Sequence, residues 1–547
     1  MRLLASFTIL LLLLSVGFTE KQSAVYDYIL RGGVIYDGTG GEPFVGDLAI
    51  NGDTIAAIGD LSRARGHREI DVFGYAVSPG FINMLSWADQ SLAMDGRSVS
   101  GIKQGITLEV FGEGYSPRLP DETPGSRFRW TPLAEYFALM EKQEFSPNIA
   151  SFVGATSIRI KEMGFTSRQP DSASIERMKR LVEEAMQHGA MGLGTSLIYP
   201  PATFTTTEEL IALASVSSHY GGMYITHIRS EGEKILEALD ETIRIAHEAN
   251  IPAEIYHLKI NLEANWSKLD AVIRKIDSAQ HLGLRVTANM YPYTASATGL
   301  TARLPAWVQE GGAARMRRRL LDRAIRTKVL EELRLGTPFR NSPPEQVVLT
   351  RFQNEKFQRL YGGKNLQEIA AHYGKSPDET AIDLIIRDGS RIEALYFQQS
   401  EQVMRRIMKL PYVSFGTDAG SYSLDTVPHY LPAHPRAFGT FTRVLGKYVR
   451  EERLLTLPEA VRKMTSQPAR NLKLHKRGEL APGYFADVVV FHPDSVADHA
   501  SYEQPHRYAT GVSFVFVNGT LVLNNGEHTG AMPGRVLRGP GWGRDFY

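Results

Sequence analysis

Met223-Tyr-Ile-Thr-His227 and Ala253-Glu-Ile-Tyr-His257 decide how this chain is read. Each is a short β-branched or aromatic run ending in histidine, and between them Glu231–Ala249 repeats apolar residues at helical spacing. Strand, helix and strand within a step of 30 residues is about the length of one βα unit. The same alternation extends outward through Thr107-Leu-Glu-Val-Phe-Gly-Glu113 and Val286-Thr-Ala-Asn-Met-Tyr291, with helical patterns over Ser174–His188 and Thr207–Tyr220. That rhythm predicts an α/β fold, a (β/α)8 TIM-like barrel, in which the C-terminal strand ends build the active site.

The flanks read differently. From Tyr26 to about Val77, and again from about Gly478, short alternating strands are broken by glycine and by Asn-Gly and Gly-Asp turns. Hairpin-like sequence at both ends of a βα core predicts one small β-sandwich domain built from both chain ends. The expected division is a β-part over 24–78, the barrel over 79–474, a second β-part over 475–535 and a C-terminal tail over 536–547. Within the barrel, residues near 303–400 are rich in charge and helix formers and read as an inserted segment or lid. Their basic run, Arg315-Met-Arg-Arg-Arg319, reads as a solvated helix face.

Arg2 followed by about 16 mostly apolar residues reads as a secretory signal peptide over 1–19. The expected location is exported, periplasmic or secreted, with an uncleaved N-terminal anchor as the alternative; no later segment is apolar enough to span a membrane. With 61 basic and 60 acidic residues the formal net charge is +1, which gives no field to attract nucleic acid. The 547 residues include no cysteine, which excludes a disulfide framework, a thiolate metal site and a thiol nucleophile.

Glu113, His227 and His257 are the candidate metal ligands. Adjacent parallel strands would bring both imidazoles over one barrel mouth, neutral imidazole suits zinc, and a Glu oxygen completes three protein ligands. A lone histidine after a strand is more often a surface or hydrogen-bonded residue; two at matching strand ends point to a metal. Asp418, in Ser414-Phe-Gly-Thr-Asp-Ala-Gly420, follows another apolar run. It reads either as a turn residue or as a carboxylate that takes a proton from activated water.

Asp27-Tyr-Ile-Leu-Arg-Gly-Gly-Val-Ile-Tyr-Asp-Gly38, Val77-Ser-Pro-Gly-Phe-Ile82 and Gly478-Glu-Leu-Ala-Pro-Gly-Tyr-Phe-Ala-Asp-Val-Val-Val-Phe491 resemble the amidohydrolase superfamily. Gly192-Leu-Gly-Thr-Ser-Leu-Ile-Tyr-Pro-Pro201, Tyr224-Ile-Thr-His-Ile-Arg-Ser-Glu-Gly232, Tyr291-Pro-Tyr-Thr-Ala-Ser296 and His434-Pro-Arg-Ala-Phe-Gly-Thr440 resemble, within it, the N-acyl-D-amino-acid deacylases. The resemblance runs from about residue 26 to 535. It implies a (β/α)8 barrel, His227 and His257 on the tightly held zinc, and Asp418 as the catalytic aspartate. It places Arg436 on the arginine that clamps the substrate carboxylate, with Lys259, Tyr291 or Tyr293, and Ser296 on further substrate-binding positions.

The chain departs from the family twice. Where superfamily members carry His-x-His, this chain reads Leu85-Ser86-Trp87, which cannot coordinate a cation. Where the deacylases carry a cysteine, it reads Gly112-Glu113-Gly114. One zinc ion per chain is therefore expected. The expected reaction is hydrolysis of the amide of a small-molecule N-acyl-D-amino acid. The alternatives are another metal-dependent amidase, dipeptidase or hydantoinase-like, or a non-catalytic exported binding protein on the same barrel. Whether the chain forms a homo-oligomer stays open.

Overall fold

Residues 24–118, 130–336, 339, 341–426 and 433–543 are described by the computed structural model of the protein. The expected signal peptide lies outside them, as do the last four positions of the expected tail.

The histidine-ended runs are parallel neighbours. Met223–His227 pairs with Gly192–Ser196 on one side, His227 opposite Ser196, and with Ala253–Ile255 on the other. The same parallel sheet continues through Val286–Met290 to Val413–Phe415, and beyond Gly192–Ser196 to Val153–Gly154. Phe81–Asn83, Ile106–Phe111 and Asn148–Ser151 form a second parallel group, separated from Val153–Gly154 by Phe152 alone. Every residue of Gly192–Ser196 and Met223–His227 is buried, as parallel strands covered on both faces require.

Helices cover this sheet through one apolar stripe each. Ile235–Glu248 buries Ile235, Ala238, Leu239, Thr242, Ile245 and Ala246, and Leu269–His281 buries Leu269, Val272, Ile276 and Ala279. The helices expected over 174–188 and 207–220 run over Ser172–Gln187 and Thr207–His219. Side chains of Asp171 and Thr206 cap them, accepting from the backbone N–H of Ser174 and Glu209. The helix expected from Glu231 starts at Ile235, and Glu231 stays in the loop above the strand ends with its carboxylate buried.

Strands from the two chain ends share one sheet. Val25–Ile35, Phe44–Asn51, Thr54–Gly59, Arg65–Asp71 and Ala76–Pro79 join Val488–Phe491, Val512–Val517, Thr520–Asn524 and Glu527–His528, with the seam where Ala76–Pro79 runs antiparallel to Val488–Phe491. The Gly52 turn between the second and third of these has φ +54°, the left-handed region glycine enters without a Cβ penalty.

The segment near 303–400 holds helices and also strands that charge-rich composition hides. Ser296–Gly299, Glu393–Tyr396, Val347–Arg351 and Lys364–Asn365 form an antiparallel sheet under Ala313–Leu321, Arg323–Leu335 and Pro377–Asp388. The basic run is only partly solvated: Met316 and Leu320 are buried, Arg317 donates to the Gly389 carbonyl and Arg319 to that of Val308 at 3.0 Å. The stretch read as a tail runs, to residue 543, against the parallel group: Leu537 N–H donates to Ile149 O at 2.8 Å and Gly539 N–H to Gly189 O at 2.8 Å. No described helix is long and apolar enough to cross a membrane.

Candidate metal centre and active site

Strand register and the turn that follows Ile255 set His227 beside His257, with ring centroids 4.5 Å apart. The strand carrying His257 ends at Ile255, and His257 itself sits in the following turn at φ +35°. Side-chain-bearing residues resist that conformation. Its backbone N–H is held by Asn289 Oδ1 at 2.8 Å, and Asn289 in turn donates to Glu254 at 2.8 Å. Glu113 arrives on the Gly112-Glu113-Gly114 loop. A Cβ on Gly112 would meet the Phe152 carbonyl at 2.5 Å, and one on Gly114 the Ser196 side chain at 2.6 Å. The two glycines therefore let the loop lie flat on its neighbours. Glu113 Oε1 lies 2.9 Å from His227 Nδ1 and 3.1 Å from His257 Nε2. One ligand atom from each of the three buried side chains falls within 4.8 Å of the other two.

Two imidazole nitrogens and a carboxylate oxygen converging in this way are a donor set suited to zinc with three protein ligands. The electrostatics agree. Burial pushes the Glu113 carboxyl up, but its bonds to His227 and His257 hold it well below the usual carboxylate range. Burial and the Lys259 charge push His257 down, and its hydrogen bonds to Glu113 and Glu231 more than reverse this, leaving it at about 9. The site thus holds a proton where a cation would satisfy the same carboxylate.

Glu231 supports this centre from behind. Its carboxylate pairs with Lys259, lies 3.1 Å from His257 Nδ1 and accepts from Asn261 at 3.0 Å. Burial raises its pKa, but Lys259 and then His227 hold it well below the usual range. A carboxylate on the outer nitrogen of a ligand histidine fixes the ring's orientation. Lys259 Nζ also lies 2.7 Å from His257 Nδ1 and 5.6 Å from the centre of the Tyr291 ring.

Asp418 stands on the other side, at φ +50°, its backbone N–H bonded to Leu85 O at 2.8 Å. Oδ2 is 2.6 Å from Arg436 Nη1, and Oδ1 accepts from the Trp87 indole at 3.1 Å. Arg436 opens the helix Arg436–Arg443 and lies 4.8 Å from the centre of the Tyr291 ring, so Tyr291 separates two cations. Its backbone N–H donates to His434 Nδ1 at 3.1 Å, and His434 Nε2 lies 2.9 Å from the Ala295 carbonyl, which assigns the proton to Nε2. Burial and then the Arg436 charge keep His434 neutral.

Glu113, His227, His257, Lys259, Tyr291, Asp418 and Arg436 are thus brought together. Tyr293 and Ser296 stand one layer away. The Tyr293 ring packs on His434 at 5.3 Å and under Arg443 at 4.8 Å, and Ser296 Oγ accepts from Gln398 at 3.4 Å. Sequence reasoning missed Glu231, His434 and Tyr199, whose ring meets His227 at 5.3 Å. Each lies within a motif already quoted: Glu231 four residues after His227, His434 two before Arg436, Tyr199 in the Tyr-Pro-Pro turn. Polar residues so close to strand-end ligands were the available signal.

Residues 399–523 match the amidohydrolase family model. The chain is 34% identical over 530 residues to a D-aminoacylase of Alcaligenes xylosoxydans xylosoxydans, covering 95% of this chain and 99% of that one. A solved D-aminoacylase, whose binuclear metal centre is described as activated by one metal and attenuated by the second, superposes with a TM-score of 0.79 at 33% identity, covering 94% of this chain and 100% of that one. An N-acyl-D-glutamate deacylase from Bordetella bronchiseptica, solved with zinc and a phosphonate mimic of the tetrahedral intermediate, gives 0.78 at 30% identity, covering 94% and 99%.

Proposed function

Since the chain belongs to the D-aminoacylase family of amidohydrolases, we propose that it hydrolyses N-acyl-D-amino acids to a free D-amino acid and a carboxylate, using one zinc ion held by Glu113, His227 and His257. The observation that carries this reading is Arg436. Arg436 is 6% exposed, its Nη1 rests on Asp418 Oδ2 at 2.6 Å beside the ligand cluster, and its Nε makes no hydrogen bond among the described residues. A buried guanidinium with an unsatisfied Nε–H is costly unless a ligand supplies the acceptor, and a carboxylate matches its fork.

Bound zinc would supply Lewis acidity toward the acyl carbonyl and a water of lowered pKa. The residues of the chain do the rest. Asp418 takes one proton from the attacking water as the C–O bond forms, and returns it to the nitrogen as the C–N bond breaks. In the resting site Asp418 Oδ2 is occupied by Arg436. A substrate carboxylate competes for that arginine and draws it off Asp418, so recognition frees the base. Tyr291 keeps Arg436 and Lys259 apart, and Lys259, already paired with Glu231, adds positive potential rather than a second free clamp. Leu85 and Trp87 support a count of one zinc, since neither offers a ligand.

We also infer a closed (β/α)8 barrel. Met84 N–H donates to Phe415 O at 3.3 Å and Ser86 bridges Ala419 in parallel, which joins the first strand to the last. A sandwich form for the shared end domain is supported by Val25–Ile35, whose first half pairs with Arg65–Asp71 and whose end pairs with Ala76–Pro79. Export is proposed from the Arg2-led apolar segment.

The test is zinc content and turnover on one chelator-free sample. About one zinc per chain, release of amine from N-acetyl-D- but not N-acetyl-L-amino acids, and loss of both in His257→Ala are expected. Bound zinc without turnover of either enantiomer would move the substrate class to other amides.

A further inference from the structure

The indole of Trp87 is the donor that stands between the two anionic halves of the site. Its Nε1–H is 3.0 Å from Glu113 Oε2 and 3.1 Å from Asp418 Oδ1. Glu113 Oε1 faces the two imidazoles and Asp418 Oδ2 faces Arg436, so each carboxylate turns one oxygen to its own task and the other to the same hydrogen. We propose that Trp87 is a positioning residue built in place of a second cation: its N–H ties the ligand carboxylate to the catalytic one and holds the centre to a single metal. The inference rests on the one-zinc deacylase reading and deepens it.

Two carboxylates that share a donor are relieved of part of their mutual repulsion, as they would be by a bridging cation. An indole N–H only donates, so it fixes the arrangement without ligating. The backbone holds it in place. Trp87 N–H donates to Ala419 O at 3.0 Å, Ser86 N–H to Val110 O at 2.9 Å, and Leu85 O accepts from Asp418 N–H, so positions 85–87 are stitched to both the strand that leads to Glu113 and the Asp418 loop. Leu85 is buried in the apolar core beneath, which leaves hydrocarbon where the other ligand of a pair would stand. Trp87 is 36% exposed, and phenylalanine keeps an aromatic ring in its place while removing only the N–H donor and part of the ring.

Zinc affinity by competition with a chromophoric chelator, read beside steady-state kinetics on an N-acetyl-D-amino acid, tests this. The wild-type chain is expected to take one zinc and refuse a second in excess metal. Trp87→Phe should keep the melting temperature of the chelated protein, bind its zinc about 10- to 100-fold more weakly, as loss of a partner behind a metal ligand does, and lose kcat with KM little changed. The double variant Leu85→His/Trp87→His should bind two zinc ions. Wild-type zinc affinity and kcat in Trp87→Phe, or two tight zinc ions on the wild-type chain, would overturn the proposal. Expected zinc behaviour in every variant with no turnover of any substrate by the wild type would leave the bridge standing and remove the deacylase reading.

Discussion

His257 and Asp418 both carry positive φ, +35° and +50°, and both belong to the candidate site. Strained backbone persists at such points because the surroundings over-determine it: Asn289 grips one amide and Leu85 the other. At this scale the fork of Arg436 makes a direct prediction. Arg436→Lys keeps the charge and loses the paired donors, so kcat/KM for an N-acetyl-D-amino acid should fall roughly 10- to 100-fold, the size of a charged hydrogen bond. Hydrolysis of the matching amide without its α-carboxylate, slow in the wild type, should not fall with it. A second prediction concerns pH. His257 is raised from 6.5 to about 9 in the ion-free site, so its protonated form stabilises the chelated protein. That stability, on the order of 3 kcal/mol, is complete below pH 6.5 and is lost as pH rises through about 9. Zinc displaces the same proton, so its affinity should rise over that window. Melting temperatures of chelated and zinc-loaded protein between these limits check it; a flat curve for the chelated form would refute it.

Among the elements, the amphipathic helices were legible because a 3.6-residue apolar stripe survives in the sequence, and they landed within a few residues of their expected ends. The antiparallel sheet of the inserted segment was not. Val347–Arg351 and Glu393–Tyr396 are five- and four-residue runs far apart in the chain, and only their pairing makes them strands. Arg159 and Glu209 show the same long-range dependence: they form an ion pair, 1% and 2% exposed, between helices Ala155–Met163 and Thr207–His219. Arg159→Met should cost about 3–5 kcal/mol by stranding a buried carboxylate, and Arg159→Met/Glu209→Leu should recover most of it. Urea unfolding at fixed zinc concentration separates the two variants.

For the whole molecule, the two chain ends meet in one sheet and the last described residues return to the parallel strands. Val488–Phe491 pairs with Ala76–Pro79, and the Arg477 guanidinium, buried against Asp487 and bonded to Asn518 at 2.8 Å, locks the seam. The last described residues lie along Asn148–Ser151, where Ile149 N–H donates to Arg535 O at 2.9 Å and receives Leu537 in return. Removing residues 533–547 strips these bonds and exposes Phe145, Ile149 and Met186. The truncated protein is expected to melt several degrees lower, while zinc content per folded chain stays at the full-length value. An unchanged melting temperature would show that the segment only decorates the surface.

The βα alternation, the residue types of the candidate ligands and base, and the split end domain were legible in the chain alone. Those depend on local periodicity and on residue chemistry, which a chain carries with it wherever it folds. Which partners those residues meet emerges from folding: Glu113 Oε1 falls between two imidazoles, Glu231 claims Lys259, Arg436 rests on Asp418, and Trp87 points its N–H at two carboxylates at once. Each of those contacts joins strand ends or loops tens to hundreds of residues apart. Hydrogen-bond geometry at that separation is set by the register and packing of the strands, to which one-dimensional spacing is blind.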